Sequence, residues 1–398
     1  MFLHKGTQEM KNKFIAKRYW KDISTPMGKV DELAKQYDDV IRLSLGDPDL
    51  TTDSIIIDGA HQDALAGHTK YTDFRGDPEL RAEISKYYKE RFNLNIPDEE
   101  IFVTASGNYA MFLALESILD EGDEVILQGP YYTPYPQQVE LALGVPVEFP
   151  TYEEEDFQTN VERLESYITE RTKAIIVNTP CNPTGNCLSL ETMQKIAEIA
   201  EKYDLIVIAD DIYTAFSYQR EFVPFASLPG MRERTITLNS FSKDYTMTGW
   251  RVGCIVAPKE IVHVVQEINE NVVFTAPSIS QRAAIHALRN RAAIQPQMVE
   301  EYRQRSYYAA ERINNIPKMH VIYPPKGTFY LFINVKETGL TSEEVSDTIL
   351  REAHVVTIPG NSFGKSGEGY IRIACTVGKD TLKEAFDRVE KVSIFQNN

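Results

Sequence analysis

The chain has 398 residues, 42% hydrophobic and 25% charged, an ordinary globular balance in a length that suggests two domains rather than one core. Its formal net charge of −16 argues against non-specific nucleic-acid binding and against docking on anionic membranes. The four cysteines, Cys181, Cys187, Cys254 and Cys375, form no Cys-x-x-Cys pair and no zinc-spaced cluster; residues 1–20 lack an apolar signal core, and no run nears the roughly 20 apolar residues of a membrane span, so a cytoplasmic protein without a metal site is expected.

Residues 1–40 read as helical or irregular and mostly polar. Asp77-Pro78-Glu79 predicts a helix start, with a capping carboxylate and a proline at the first helical position, and Leu80, Ile84 and Tyr87 continue it at helical spacing. Short apolar runs then recur at 101–104, 124–128, 173–178, 205–210, 235–239 and 252–256. Several are continuous rather than alternating, as strands buried on both faces should be. Helical stripes lie between many of them, such as Leu190, Met193, Ile196, Ala200 and Tyr203 behind a capping Ser189. This succession predicts a mostly parallel α/β sheet. The C-terminal part reads differently: a long polar helix around 297–314, a strand-like run at 328–335, the capping-box pattern Thr341-Ser342-Glu343-Glu344, and further strand-like runs at 355–358 and 370–375. A smaller α+β domain is expected there, packed with the N-terminal segment.

Ligands of open α/β sheets bind at the carboxyl ends of strands. Asp210 and Asp211 end one run, either as a solvated strand end or as a pocket carboxylate able to pair with a cationic nitrogen. Ser240-Phe241-Ser242-Lys243 ends another; Lys243 reads as a solvated loop lysine or as an amine placed to form a Schiff base with a carbonyl cofactor. Arg251, flanked by glycines in Gly249-Trp250-Arg251-Val252-Gly253, suits phosphate binding. Ser106-Gly107-Asn108, between a strand and an apolar helix, offers backbone N–H groups at a helix N-terminus, as any tight β-turn-α connection would. Asn182-Pro183-Thr184-Gly185 consists of turn formers after a buried strand, and Cys181 and Cys187 beside it read as bystanders. Arg372, inside an alternating run, is either an edge-strand surface residue or a clamp for a substrate carboxylate. A G-x-G-x-x-G turn and a Walker loop are both missing, which disfavours dinucleotide and P-loop readings.

In order and spacing, Asn182-Pro183-Thr184-Gly185, Ala209-Asp210-Asp211-Ile212-Tyr213, and Ser240-x-Ser242-Lys243 followed by Gly249-Trp250-Arg251-Val252-Gly253 resemble the fold-type I pyridoxal-phosphate (PLP) enzymes, specifically class I/II aminotransferases of the aspartate and aromatic kind. The resemblance runs from Leu45-Gly46-Asp47-Pro48-Asp49 to Arg372. It implies an α/β large domain with a mostly parallel seven-stranded sheet between helices (the PLP-dependent transferase fold) plus a smaller α+β domain. The expected division is an N-terminal segment at 1–45, a cofactor-binding domain at 46–290 and a small C-terminal domain at 291–398. The implied reaction moves an amino group between an L-amino acid and a 2-oxo acid in two half-reactions, with the cofactor alternating between pyridoxal and pyridoxamine phosphate.

The roles implied are equally specific. Lys243 carries the cofactor and moves the proton at the substrate Cα. Asp210 pairs with the ring nitrogen; Tyr213 and Asn182 hydrogen-bond the phenolic oxygen; Tyr132 stacks on the ring. Ser106, Gly107, Asn108, Ser240 and Arg251 hold the phosphate. Tyr71 reaches the phosphate of the neighbouring subunit in a homodimer. Arg372 binds the α-carboxylate, with Gly46 and Asn182 at that end of the site. Cis peptides are implied before Pro130 and Pro183.

Relatives preferring aspartate carry a lysine where Asn108 stands, or receive a partner arginine from near 271–278, a stretch without arginine here. An aromatic or broad amino donor with 2-oxoglutarate as acceptor is therefore expected. A PLP-dependent C–S β-lyase is the alternative, and a non-catalytic PLP-binding sensor a remote one, since 1–40 is too short for a DNA-binding module.

Overall fold

The computed structural model describes residues 13–20, 30 and 32–396. Much of the polar stretch expected at 1–40 therefore lies outside the described residues. From residue 41 onward the strands are β1 (Ile41–Arg42), β2 (Ile101–Thr104), β3 (Glu124–Gly129), β4 (Val145–Pro150), β5 (Thr172–Asn178), β6 (Ile206–Asp210), β7 (Thr235–Ser240), β8 (Gly253–Val256), β9 (Tyr330–Asn334), β10 (Val355–Val356), β11 (Ile358–Pro359) and β12 (Tyr370–Ala374).

Seven of them form one sheet in the order β2-β8-β7-β6-β5-β3-β4. Pairing is parallel from β7 through β4, while β8 runs antiparallel to both neighbours. The carboxyl ends of β2, β3, β5, β6 and β7 thus share one edge of the sheet with the amino end of β8. The continuous apolar runs are buried on both faces, β2 and β8 at every position. Strand β4 was not among the expected runs. It is one of the two edge strands, carries Pro146, Glu148 and Pro150, and unlike the other edge, β2, is mostly half-buried, so its apolar pattern is weak.

Helices cover the sheet where sequence signals place them. Asp77 caps the helix Pro78–Phe92 and Ser189 caps the helix Leu190–Lys202, each side chain accepting a first-turn N–H. In the smaller α+β unit β12 lies between β11 and β9 in an antiparallel sheet. The expected run 355–358 divides: Val355–Val356 pairs with β1 of the N-terminal segment, and Ile358–Pro359 pairs with β12. The helix Arg291–Asn314 begins about a turn and a half before the expected 297, with Pro296 inside it. Thr341 and Glu344 form the capping box of the helix Ser342–Ala353. Tyr302, Phe329 and Phe386 anchor a core that also takes in Ile41, Leu43 and Phe216, and so joins this unit to the N-terminal segment and the large one.

Candidate active site

The strand ends converge on a cleft of about 240 Å³. From β2 the chain turns at Ser106, whose side chain accepts the Tyr109 N–H at 3.1 Å and caps the helix Gly107–Ile118. The first N–H groups of that helix, at Gly107 and Asn108, have no intrahelical acceptor, and both residues line the cleft. Close packing dictates the glycines: a Cβ on Gly107 would sit 2.8 Å from Ile212 Cδ1, and one on Gly253 would sit 2.9 Å from Gly107 N.

From β6 come Asp210 and Asp211, 5% and 2% exposed, so the solvated-strand-end reading is overturned. Asp210 Oδ2 accepts a hydrogen bond from the Tyr135 hydroxyl. Asp210 Oδ1 is buried with no partner within the chain. Burial pushes the Asp210 carboxyl up to about 6, against the Tyr135 hydrogen bond, which lowers it. Tyr213 follows on the same turn, its hydroxyl 3.2 Å from that of Tyr330. From β5, Asn178 Oδ1 accepts the Asn182 N–H at 2.9 Å, while its amide donates to Asp210 O at 2.9 Å, so one side chain ties the two turns together.

From β7, Ser240 caps the one-turn helix Phe241–Asp244, which projects Lys243 into the cleft. Lys243 is half-buried and its Nζ donates to Gly46 O from the N-terminal side, which is not the environment of a solvated loop lysine. Because β8 is antiparallel, its beginning lies at this edge, and Arg251 lines the cleft with a positive φ of 55° and its guanidinium bonded to Thr248 O at 2.6 Å.

Arg372 reaches in from the small unit. β12 is its central strand and Arg372 is 2% exposed, so the edge-strand surface reading fails. Its Nη1 donates to Asn182 Oδ1 at 3.0 Å and its Nη2 to Ser44 O. Its guanidinium lies against Tyr330 at 4.6 Å and Phe363 at 4.9 Å, and its Nε has no partner. Burial lowers its pKa from the usual arginine value.

Tyr132, Gly46, Asn108 and Ser240 also line the cleft. Tyr71 does not; it is 80% exposed, with its ring edge-on to Phe274 at 4.8 Å. The cysteines are free. The peptides before Pro130 and Pro183 are cis, as are those before Pro180 and Pro324. Sequence reasoning did not single out Tyr135, Asn178, Gln138 or Tyr330. Tyr135 follows Tyr132 by one helical turn, a spacing that could have flagged it; Tyr330 reads only as one more apolar residue of a strand.

The family model for aminotransferase class I and II matches residues 38–389. An aspartate aminotransferase from Pyrococcus abyssi is 41% identical over 92% of this chain and 94% of its own length. An aromatic-amino-acid aminotransferase of Thermococcus litoralis is 38% identical over 92% of this chain and 94% of its own. The solved aromatic aminotransferase of Pyrococcus horikoshii superposes with a TM-score of 0.87 at 38% identity, covering 91% of this chain and 98% of that one.

Proposed function

The chain belongs to the class I and II aminotransferases, and from that premise we propose that Lys243, Asp210, Tyr213 and Arg372 form the centre of an aminotransferase with broad donor scope, aromatic amino acids included, and 2-oxoglutarate as acceptor. Members of this family are PLP-dependent enzymes acting on an amino acid and a 2-oxo acid, and this chain is such an enzyme.

The observation that carries the assignment is a pair of unsatisfied buried groups, Asp210 Oδ1 and Arg372 Nε, on two residues that line one cleft together with Lys243. A buried polar atom without a partner is costly, and these await a ring N–H and a carboxylate. The cleft therefore fits the cofactor. When bound, PLP supplies the electron sink that stabilises a carbanion at the substrate Cα. Asp210 keeps the ring nitrogen protonated by favouring its charged form. Ser106, Gly107, Asn108, Ser240 and Arg251 hold the phosphate at the helix N-terminus. Tyr132 covers the ring face. Tyr213 and Asn182 donate to the phenolic oxygen, and Arg372 holds the α-carboxylate beside Gly46. Lys243 would anchor the cofactor, and its amine on the cleft wall would be the base that moves the proton at the substrate Cα.

Three features support broad scope. The cations lining the cleft are Lys243, Arg251 and Arg372, each already given a role, so among the described residues none on the cleft wall is left for a side-chain carboxylate. The walls are aromatic, with Tyr132, Tyr135, Tyr213 and Tyr330. Relatives named for aspartate and for aromatic amino acids are nearly equally similar, at 41% and 38%.

The proposal extends to a cytoplasmic homodimer in which Tyr71 serves the partner's phosphate site. The exposed apolar surface around it, with Phe74, Val272, Val273 and Phe274, supports this. It also keeps the division at 1–45, 46–290 and 291–398, in support of which β1 pairs with β10 across the first and last of these.

The test is spectroscopic and then kinetic. Purified protein with PLP should show a visible absorption band that Lys243→Ala abolishes, and a donor panel with 2-oxoglutarate should yield glutamate, aromatic donors included. A colourless wild type overturns the site. Pyruvate and ammonia from cystathionine, with no keto acid from the panel, would make the protein a β-lyase.

A further inference from the structure

Tyr330 is marked by no motif, yet three of the proposed site residues meet at its side chain. Its hydroxyl is 3.2 Å from that of Tyr213, both buried. Its ring lies 4.6 Å from the Arg372 guanidinium. A Cβ on Gly46 would overlap the Tyr330 hydroxyl, so Gly46 is glycine to admit this phenol. Its own backbone is fixed, with its N–H donating to Thr328 Oγ1 at 3.0 Å.

Building on the PLP assignment above, we propose that Tyr330 is a positioning residue with two separable parts: its hydroxyl completes the donor chain through Tyr213 to the phenolic oxygen, and its ring holds Arg372 in place for the α-carboxylate. Each phenol has one O–H. In this structure the Tyr213 O–H donates to the Tyr330 oxygen; once Tyr213 donates into the cleft instead, its oxygen is free to accept and the Tyr330 O–H is the donor in reach. A donor that also accepts is polarised and donates more strongly. Burial, reinforced by the hydrogen bond that Tyr213 donates to Tyr330, holds the Tyr213 phenol well above the ordinary tyrosine value, so it keeps its proton at neutral pH. The other titratable or charged groups around the pair are Tyr132, Asp210 on β6, Lys243 after β7 and Arg372 on β12. The ring acts separately, since its negative face favours the guanidinium and restricts where it can sit.

Two variants separate the parts. Tyr330→Phe keeps the ring and removes the hydroxyl; Tyr330→Leu removes both. The protein is loaded with PLP, its visible band is titrated with pH, and the same band reports binding of 3-phenylpropionate, an unreactive carboxylate. Weaker donation to the phenolic oxygen favours its protonated partnership with the lysine nitrogen, so both variants should raise the midpoint, by about 0.5 to 1 pH unit. Carboxylate affinity should stay within about twofold in Tyr330→Phe and fall roughly tenfold in Tyr330→Leu, the loss expected of a cation–π contact in a dry site. A wild-type midpoint in Tyr330→Phe, or equal loss of carboxylate affinity in both variants, overturns the proposal. A wild type without any visible band overturns instead the cofactor assignment on which it rests.

Discussion

The Tyr135 hydroxyl donates to Asp210 Oδ2 while the other oxygen of the same carboxyl, Oδ1, is buried without a partner. One half of the carboxylate is thus oriented by the protein and the other is left for a ligand. Asp210→Asn should keep the shape and lose the charge that holds a ring proton. A fall in kcat/KM on the order of 10²-fold or more is expected, the scale of a buried charge-assisted hydrogen bond. Tyr135→Phe removes the hydrogen bond that holds the Asp210 carboxyl down to about 6 against the effect of burial. Asp210 should then take up its proton at higher pH, moving the acid limb of the kcat/KM profile upward. An acid limb unchanged in Tyr135→Phe would count against the assignment.

Arg372 donates to Asn182 Oδ1 and Ser44 O and still has Nε unsatisfied. The guanidinium fork satisfies two acceptors and keeps a donor for a third, which a lysine ammonium cannot reproduce in the same plane. Arg372→Lys should raise KM for the amino donor by roughly 10- to 100-fold with a smaller change in kcat, since the contact is already made in the ground state. Steady-state kinetics with one aromatic donor checks it.

Asp244, next to Lys243, accepts from Thr214 Oγ1 at 2.5 Å and Ala215 N at 3.2 Å, but its Oδ1 is buried and unpaired. Burial pushes its carboxyl up to about 7. Asp211, Tyr87 and Tyr245 are its titratable neighbours. The folded state therefore binds a proton that the unfolded chain has already released above pH 4, so this group costs stability as pH rises from about 4 to 7, after which the cost is constant. Asp244→Asn removes the ionisable group and keeps an acceptor for Thr214 and Ala215. The apoprotein variant should be more stable than wild type at pH 8, by on the order of 2 kcal/mol, with the difference shrinking towards pH 4. Denaturant midpoints across that range decide it; a pH-independent difference would contradict the account.

Ser106 has φ 151° and ψ 164°, a region that is nearly the preserve of glycine. Its hydroxyl offsets part of the strain by capping the helix Gly107–Ile118. Glycine relieves strain of about 1–3 kcal/mol and costs only a few tenths as a cap, whereas alanine keeps the strain and loses about 1 kcal/mol of capping. Ser106→Gly should raise stability by about 1 kcal/mol and Ser106→Ala lower it by a similar amount. Chemical denaturation of the apoproteins measures both signs.

Much of this protein was determined by its sequence alone. Buried parallel strands need continuous apolar runs, and helix starts need local caps; both are short-range requirements, so β2, β3 and β5–β8 and the caps at Asp77, Ser189 and Thr341 were legible. Motifs at strand ends inherited that legibility, and with it Lys243, Asp210 and Asn182. What required tertiary structure was every feature set by two distant segments. Strand β4 has a weak pattern because it is a half-buried edge that carries Pro146, Glu148 and Pro150; the run 355–358 serves two sheets because its neighbours, β1 and β12, come from opposite ends of the chain. The alternating pattern around Arg372 fits a surface position as well as a buried one, and it is the central place of β12 that buries it. Tyr330 and Tyr135 matter through partners 117 and 75 residues away. A phenol's role depends on which acceptor its hydroxyl meets, and only the folded chain brings that acceptor within hydrogen-bond distance.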